Sequence, residues 1–92
     1  MENFEYNPDK SAANLAKHGI DFEQAQALWD DDRRIFRPTY QGVDGEIRWL
    51  LVGLIDDKPW SAIFAEREDI VRIISVRRSR DNEKEAYYGQ ND

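Results

Sequence analysis

The residues best suited to phosphodiester chemistry are arginines, and they gather in one late segment, Arg72-Ile73-Ile74-Ser75-Val76-Arg77-Arg78. It reads as an apolar strand that ends in guanidinium groups. Regular alternation would set Arg72 and Arg78 on one face and Arg77 with Ser75 on the other. A guanidinium stays charged and offers a planar fork of donors that matches phosphate oxygens. The competing reading pairs these arginines with the many nearby carboxylates. Upstream, Glu46 and Arg48 sit two apart and share a strand face. That arrangement is either a general base held by a cation or a plain ion pair. Arg67 lies at a turn beside Glu66, Glu68 and Asp69. Lys17-His18-Gly19 holds the one histidine. Lys and His there suit a helix C-terminus, with Gly19 as the left-handed residue beyond it. That structural reading is favoured; the functional one makes His18 a proton-transfer group or phosphate contact, roles that suit a histidine. One histidine cannot run a two-histidine ribonuclease mechanism. Of Tyr87 and Tyr88, one is expected to pack on the sheet and the other to be open for base stacking.

Metal chemistry finds no ligand set. With one His and no Cys, only carboxylates remain, and Asp30-Asp31-Asp32 lacks the alternating ligands and glycine of a calcium loop. A phosphate-cradling glycine loop and a nucleophile elbow are both missing. No metal and no cofactor are expected.

The elements that must position these groups are legible in outline. Asn7 caps a helix that begins at Pro8 and ends at Gly19, with Ala12, Leu15 and Ala16 as its apolar stripe. Asp21 opens a second helix through a capping box with Gln24, and Phe22, Ala25, Leu28 and Trp29 recur at helical spacing. The run Asp30–Asp32 is expected to close that helix and enter solvent. Four strands come next: 34–39, an edge because Pro38 cannot donate to a ladder; 46–55, apolar on both faces in its second half; 59–66; and 70–78. Gly42-Val43-Asp44-Gly45, Asp56-Asp57-Lys58 and Arg67–Asp69 are turns. Ser79 or Asp81 caps a last helix with Ala86, Tyr87 and Tyr88, ended by Gly89. The expected fold is α+β: two N-terminal helices, a four-stranded antiparallel sheet and a C-terminal helix, in one domain over residues 1–92.

Composition sets further bounds. At 92 residues, a chain buries only about two-thirds of its unfolded surface, so the core is small. Eleven aromatic residues (three Trp, four Tyr, four Phe) supply enough bulk for one core. The absence of cysteine removes any disulfide framework and fits a reducing compartment. No apolar run is long enough to span a bilayer, and the charged start is no signal peptide. A cytoplasmic location is expected. The net charge of −6 opposes nucleic-acid binding at face value, but its distribution is uneven. Residues 33–80 carry ten basic against seven acidic side chains, while residues 1–32 carry two against eight. A basic centre between acidic ends is compatible with RNA on one face and a complementary partner elsewhere.

Phe4-Glu5-Tyr6-Asn7-x-x-Lys10-x-x-x-Asn14-x-x-Lys17-His18-Gly19-Ile20-x-Phe22-x-x-Ala25 resembles the N-terminal signature of the BrnT toxin family. So do Gly45-Glu46-x-Arg48, Gly53, Phe64-x-x-Arg67, Arg72-Ile73-Ile74-Ser75-Val76-Arg77-Arg78, Glu85 and Tyr88. The likeness spans nearly the whole chain. Tyr6-Asn7 stand where the family usually shows Trp-Asp, and Val76 where it shows Ala. The resemblance implies a type II toxin similar in fold to RelE-like ribonucleases, cleaving RNA without metal and so inhibiting translation. It implies a BrnA-like antitoxin, a ribbon-helix-helix protein through which alone operator DNA is met. Carried onto this chain, it points to His18 and Glu46 as acid or base and to Arg67 and Arg77 as stabilisers of the phosphorane. Lys17, Arg48, Arg72, Arg78 and Tyr88 are then the RNA-binding residues. The alternative is a non-catalytic interaction module whose arginines meet a partner's acidic residues. A direct DNA-binding repressor ranks last, for want of a basic recognition helix.

Overall fold

The computed structural model describes residues 3–41 and 45–90; residues 42–44 of the expected Gly42–Gly45 turn lie outside them. The elements are β1 (Asn3–Glu5), α1 (Pro8–His18), a 3₁₀ helix (Gln24–Asp30), β2 (Ile35–Gln41), β3 (Ile47–Ile55), β4 (Lys58–Arg67), β5 (Ile70–Arg78) and α2 (Asp81–Tyr88). The strands form one sheet in the order β1-β5-β4-β3-β2. The class is α+β, but the expected four-stranded antiparallel sheet is a five-stranded mixed one. β1 lies parallel to β5, with Glu5 opposite Arg72, and the other pairs are antiparallel. A strand of three residues shows no period, so only its pairing reveals it. β2 is an edge, as Pro38 requires.

The second helix is also not the α-helix expected. The capping box forms: Asp21 N–H donates to Gln24 Oε1 at 2.9 Å, and Gln24 N–H donates to Asp21 Oδ1 at 2.7 Å. Beyond this box the chain winds as a 3₁₀ helix, in which residues three apart eclipse. Ala25 and Leu28 are thereby stacked against the sheet, both fully buried with Trp29 beside them. Gly53 lets this element approach, since a Cβ there would stand 3.3 Å from Leu28 Cδ2.

α1 keeps its expected ends. Asn7 Oδ1 accepts from Asp9 N at 2.8 Å, and Gly19 takes φ 82° as its N–H donates to Leu15 O. Its buried face, however, is not the Ala12-Leu15-Ala16 stripe. Leu15 is 46% exposed, whereas Ser11 and Asn14 are buried. Asn14 Nδ2 donates to Val76 O at 2.9 Å and its Oδ1 accepts from Val76 N at 3.2 Å. An amide side chain thus stands in for a neighbouring strand along the outer edge of β5, where a hydrophobic stripe could not satisfy the backbone. Ser11 Oγ accepts from Phe22 N at 2.9 Å.

Helices cover the two sheet faces unequally. The larger core joins Phe22, Leu28 and Trp29 to Leu51, Ala62, Phe64, Val71, Ile73 and Val76. The smaller one, under α2, joins Tyr87 to Leu50, Val52 and Ile63.

Candidate functional site

A bulge decides which arginines face together. Ile63 pairs with Ser75 but Phe64 with Ile73, leaving Ile74 as the extra residue. One inserted residue reverses the alternation beyond it. Arg72, Ser75 and Arg77 therefore share the α2 face, and Arg78 alone takes the opposite one. The expected pairing of Arg72 with Arg78 is corrected. Arg78 lies over the Trp60 ring at 5.3 Å and donates from Nε to Pro59 O at 3.3 Å.

On the α2 face the register lays side chains in rows across β3, β4 and β5. Val52, Ser61 and Arg77 form one row; Leu50, Ile63 and Ser75 the next; Arg48, Ala65 and Arg72 the third. Beyond them Arg67 stands opposite Ile70, with Glu46 against it. α2 covers only the first rows, leaving the third and the Glu46–Arg67 pair as a bare half.

In the bare half Ala65 lies between two arginines, and its side chain is the smallest in its row. It is fully buried, yet Arg72 is exposed and Arg48 half-buried. Arg48 Nε is buried with no hydrogen-bond partner among the described residues. Glu46, its side chain 16% exposed, accepts from Arg67 Nε at 2.8 Å. Arg72 makes a looser contact with Glu5, 3.7 Å away. Arg37, opposite Leu50 on β2, joins the same face. Arg48, Arg67 and Arg72 against Glu46 and Glu5 make this half locally positive within an acidic chain.

The covered half holds Arg77 differently. Its Nη1 and Nη2 donate to both oxygens of Glu83, at 2.8 and 2.9 Å. Glu83 is 3% exposed and also accepts from Ser61 Oγ and from Arg80 N, each at 2.8 Å. Ser79 Oγ and Ser61 Oγ share a further bond of 2.7 Å. Neither Ser79 nor Asp81 therefore caps α2; Arg80 is the cap residue, and Glu83 reaches back to its N–H. Burial alone would raise the Glu83 carboxyl, but the Arg77, Arg80 and Ser61 hydrogen bonds outweigh it and hold it at about 2. The hydrogen bonds to Glu83, against the opposing effect of burial, push Arg77 up.

Asp31 does not enter solvent with Asp30 and Asp32. Its Oδ2 accepts from Tyr87 Oη at 2.6 Å and from Leu54 N at 2.8 Å. Burial opposes ionisation of Asp31, yet the bonds from Tyr87, Arg33 N and Leu54 N keep its carboxyl below the ordinary value. Burial and then Asp31 push the Tyr87 phenol up to about 12. Tyr88, 53% exposed, stands edge-on to Tyr87 with centroids 5.2 Å apart.

Lys17 and His18 lie elsewhere. With Lys10 and Asn14 they line a shallow groove of about 260 Å³ against Ile74 and Ser75, at the β5 edge. From Ser75 to Glu46 is two strand spacings across and four residues along, about 16 Å between backbones. His18 and Glu46 do not reach a common phosphate.

The structure thus unites Glu46, Arg48, Arg67 and Arg72, and separates Arg77, Arg78, and Lys17 with His18 from them. Ala65, Arg37 and Glu83 were passed over in the sequence. Only the register exposes Ala65 and Arg37, while Glu83 had one weak signal, its third place in the helix. Among the described residues there is no group of three or more His, Cys, Asp or Glu placed to hold a metal, and no helix is long and apolar enough to cross a membrane.

No curated protein matches the chain. The model of one family, described as "Ribonuclease toxin, BrnT, of type II toxin-antitoxin system", matches residues 6–83.

Proposed function

We propose that this chain, which belongs to the BrnT family of type II toxin–antitoxin ribonuclease toxins, cuts RNA on the bare half of its α2 face. The observation that carries this is the Arg48–Ala65–Arg72 row beside the Glu46–Arg67 pair. A phosphate held between Arg48 and Arg72, with Arg67 nearby, would meet guanidinium groups on more than one side.

The reaction needs no group outside the chain. Glu46 takes the proton of the ribose 2′-OH, whose oxygen bonds to the adjacent phosphorus. Negative charge gathers on the pentacoordinate phosphorane, where Arg48, Arg67 and Arg72 stabilise it. The P–O5′ bond then breaks and the leaving oxygen takes the proton back from protonated Glu46, giving a 2′,3′-cyclic phosphate and a 5′-hydroxyl. Arg67 also holds Glu46 in place. Lys17 and His18 contact the flanking backbone at the β5 edge, and Tyr88 offers a ring to a base. Arg77 acts as a positioning residue by fixing α2. The neutralising partner is a BrnA-like antitoxin, which alone brings operator DNA to the complex.

The test is cleavage of a single-stranded RNA by the purified chain in excess EDTA. Wild type is expected to cut and Glu46→Gln to lose about 100-fold or more, with unchanged circular dichroism. Equal rates for both would remove Glu46 as the base. Cleavage abolished by EDTA would remove metal independence.

A further inference from the structure

The opposite face of the bare end carries an aromatic groove. Trp29, Phe36, Trp49, Phe64 and Glu66 line about 300 Å³ there. Three of its four rings pack edge to face, Trp29 on Phe64 at 5.2 Å and Phe64 on Phe36 at 6.0 Å, and Phe4, outside the groove, packs on Trp29 at 5.1 Å. Such packing presents a rigid surface that loses little entropy when it binds. Phe36 is 46% exposed and Ile47, which alternation sets on the same face, is 52% exposed. Clustered exposed apolar groups on a small protein mark an interaction site.

The rim says what fits. Glu66 lines the groove itself, and across Trp29 a second cleft adds Glu23 and Asp30. Arg34 lies over Phe36 at 5.4 Å, so the rim charge is mainly negative. Carboxylates repel the phosphates that would accompany a stacked base, and they attract lysine and arginine. A volume of this size holds one or two bulky side chains, not a folded surface.

We propose that this groove anchors the antitoxin through one amphipathic segment, with a bulky apolar side chain in the groove and basic residues against Glu66, Glu23 and Asp30. This rests on the family reading, which supplies an antitoxin as partner. The anchor lies on the face opposite the arginines. To block the RNA site, the antitoxin must pass around the bare end of the sheet, so anchoring and inhibition are separable.

Calorimetric titration of the intact chain with its purified antitoxin tests this, using Phe36→Ser, Ile47→Ser and Glu66→Lys. All three positions are exposed, and RNA cleavage by the free variants reports that each is folded. Affinity is expected to fall at least tenfold for each. Hydrogen exchange in the wild-type complex is expected to show protection over residues 36–37 and 47–49. Wild-type affinity in all three variants, or protection confined to residues 65–72, overturns the proposal and leaves the ribonuclease reading intact. If Phe36→Ser instead weakens binding of a single-stranded RNA and spares the antitoxin, the groove belongs to RNA and the proposal falls. Failure of the wild type to bind the antitoxin at all overturns the proposal and the partner together, while cleavage by the free chain still judges the enzyme separately.

Discussion

Two halves of one sheet face use the same residue type for opposite ends. Where α2 covers the face, Arg77 is consumed by Glu83, and the row beneath it closes on Ser61 and Ser79. Where α2 stops, Arg48 and Arg72 flank the small Ala65, Arg72 exposed and Arg48 half-buried. An arginine on β5 is thus structural or available according to whether a helix passes over it. Sequence position alone does not separate the two.

The comparison is broken most severely by Arg77→Ala. It strands Glu83 as a buried carboxylate and should cost about 3–5 kcal/mol, read by urea unfolding. Arg72→Ala in the bare half should shift stability by less than about 0.5 kcal/mol while lowering RNA cleavage. Equal destabilisation by both would refute the division. A charge reversal at Arg77 should destabilise at least as much, so a loss of cleavage in it would not separate catalysis from folding.

Acid sharpens the same contrast. Glu83 titrates near 2 when folded and near 4.5 in an open chain. A depressed carboxyl contributes stability that is complete above the unfolded value and is lost as pH falls through the folded one. The loss should reach about 3 kcal/mol between pH 5 and 2, and Glu83→Gln should flatten that part of the profile. A smaller effect is expected from Tyr87→Phe, which removes the bond to the Asp31 carboxylate at the margin of the covered half. About 2 kcal/mol should be lost, measured by thermal unfolding, with cleavage of RNA retained by the folded fraction.

A small gain is expected at the hairpin tip beside the bare half. Glu68 and Asp69 both take positive φ, 47° and 72°, as a two-residue type I′ turn requires. Asp69→Gly removes the steric conflict of a Cβ there and should stabilise by up to about 1 kcal/mol. A loss of stability would mean that the Asp69 side chain matters to the turn.

The local signals in the sequence were read correctly where neighbours along the chain suffice. Asn7, Pro8 and Gly19 bound α1 because capping involves groups within a few residues. Pro38 marked β2 as an edge, and the bounds of β5 were legible from its apolar run. The reading failed where the partner is distant. Hydrophobic periodicity chose Leu15 over Asn14, because no local rule says that Asn14 meets the backbone of Val76 sixty-two residues away. Asp31 looked like part of a solvated acidic run for the same reason. The site shows the same divide. Residue type and spacing singled out Glu46, Arg48, Arg67, Arg72, Arg77 and Arg78 alike, but that the first four lie together and the last two apart came from one bulge and one helix.

By itself, the sequence determined the α+β class, most element boundaries, the family signature and the stock of cationic groups, since each depends on residue type and short spacing. The tertiary structure decided the parallel β1, the 3₁₀ turn and the side of the sheet each arginine takes. It also decided which arginine is spent on a buried carboxylate. These depend on register and on long-range contact, where a single extra residue at Ile74 turns every later side chain to the other face.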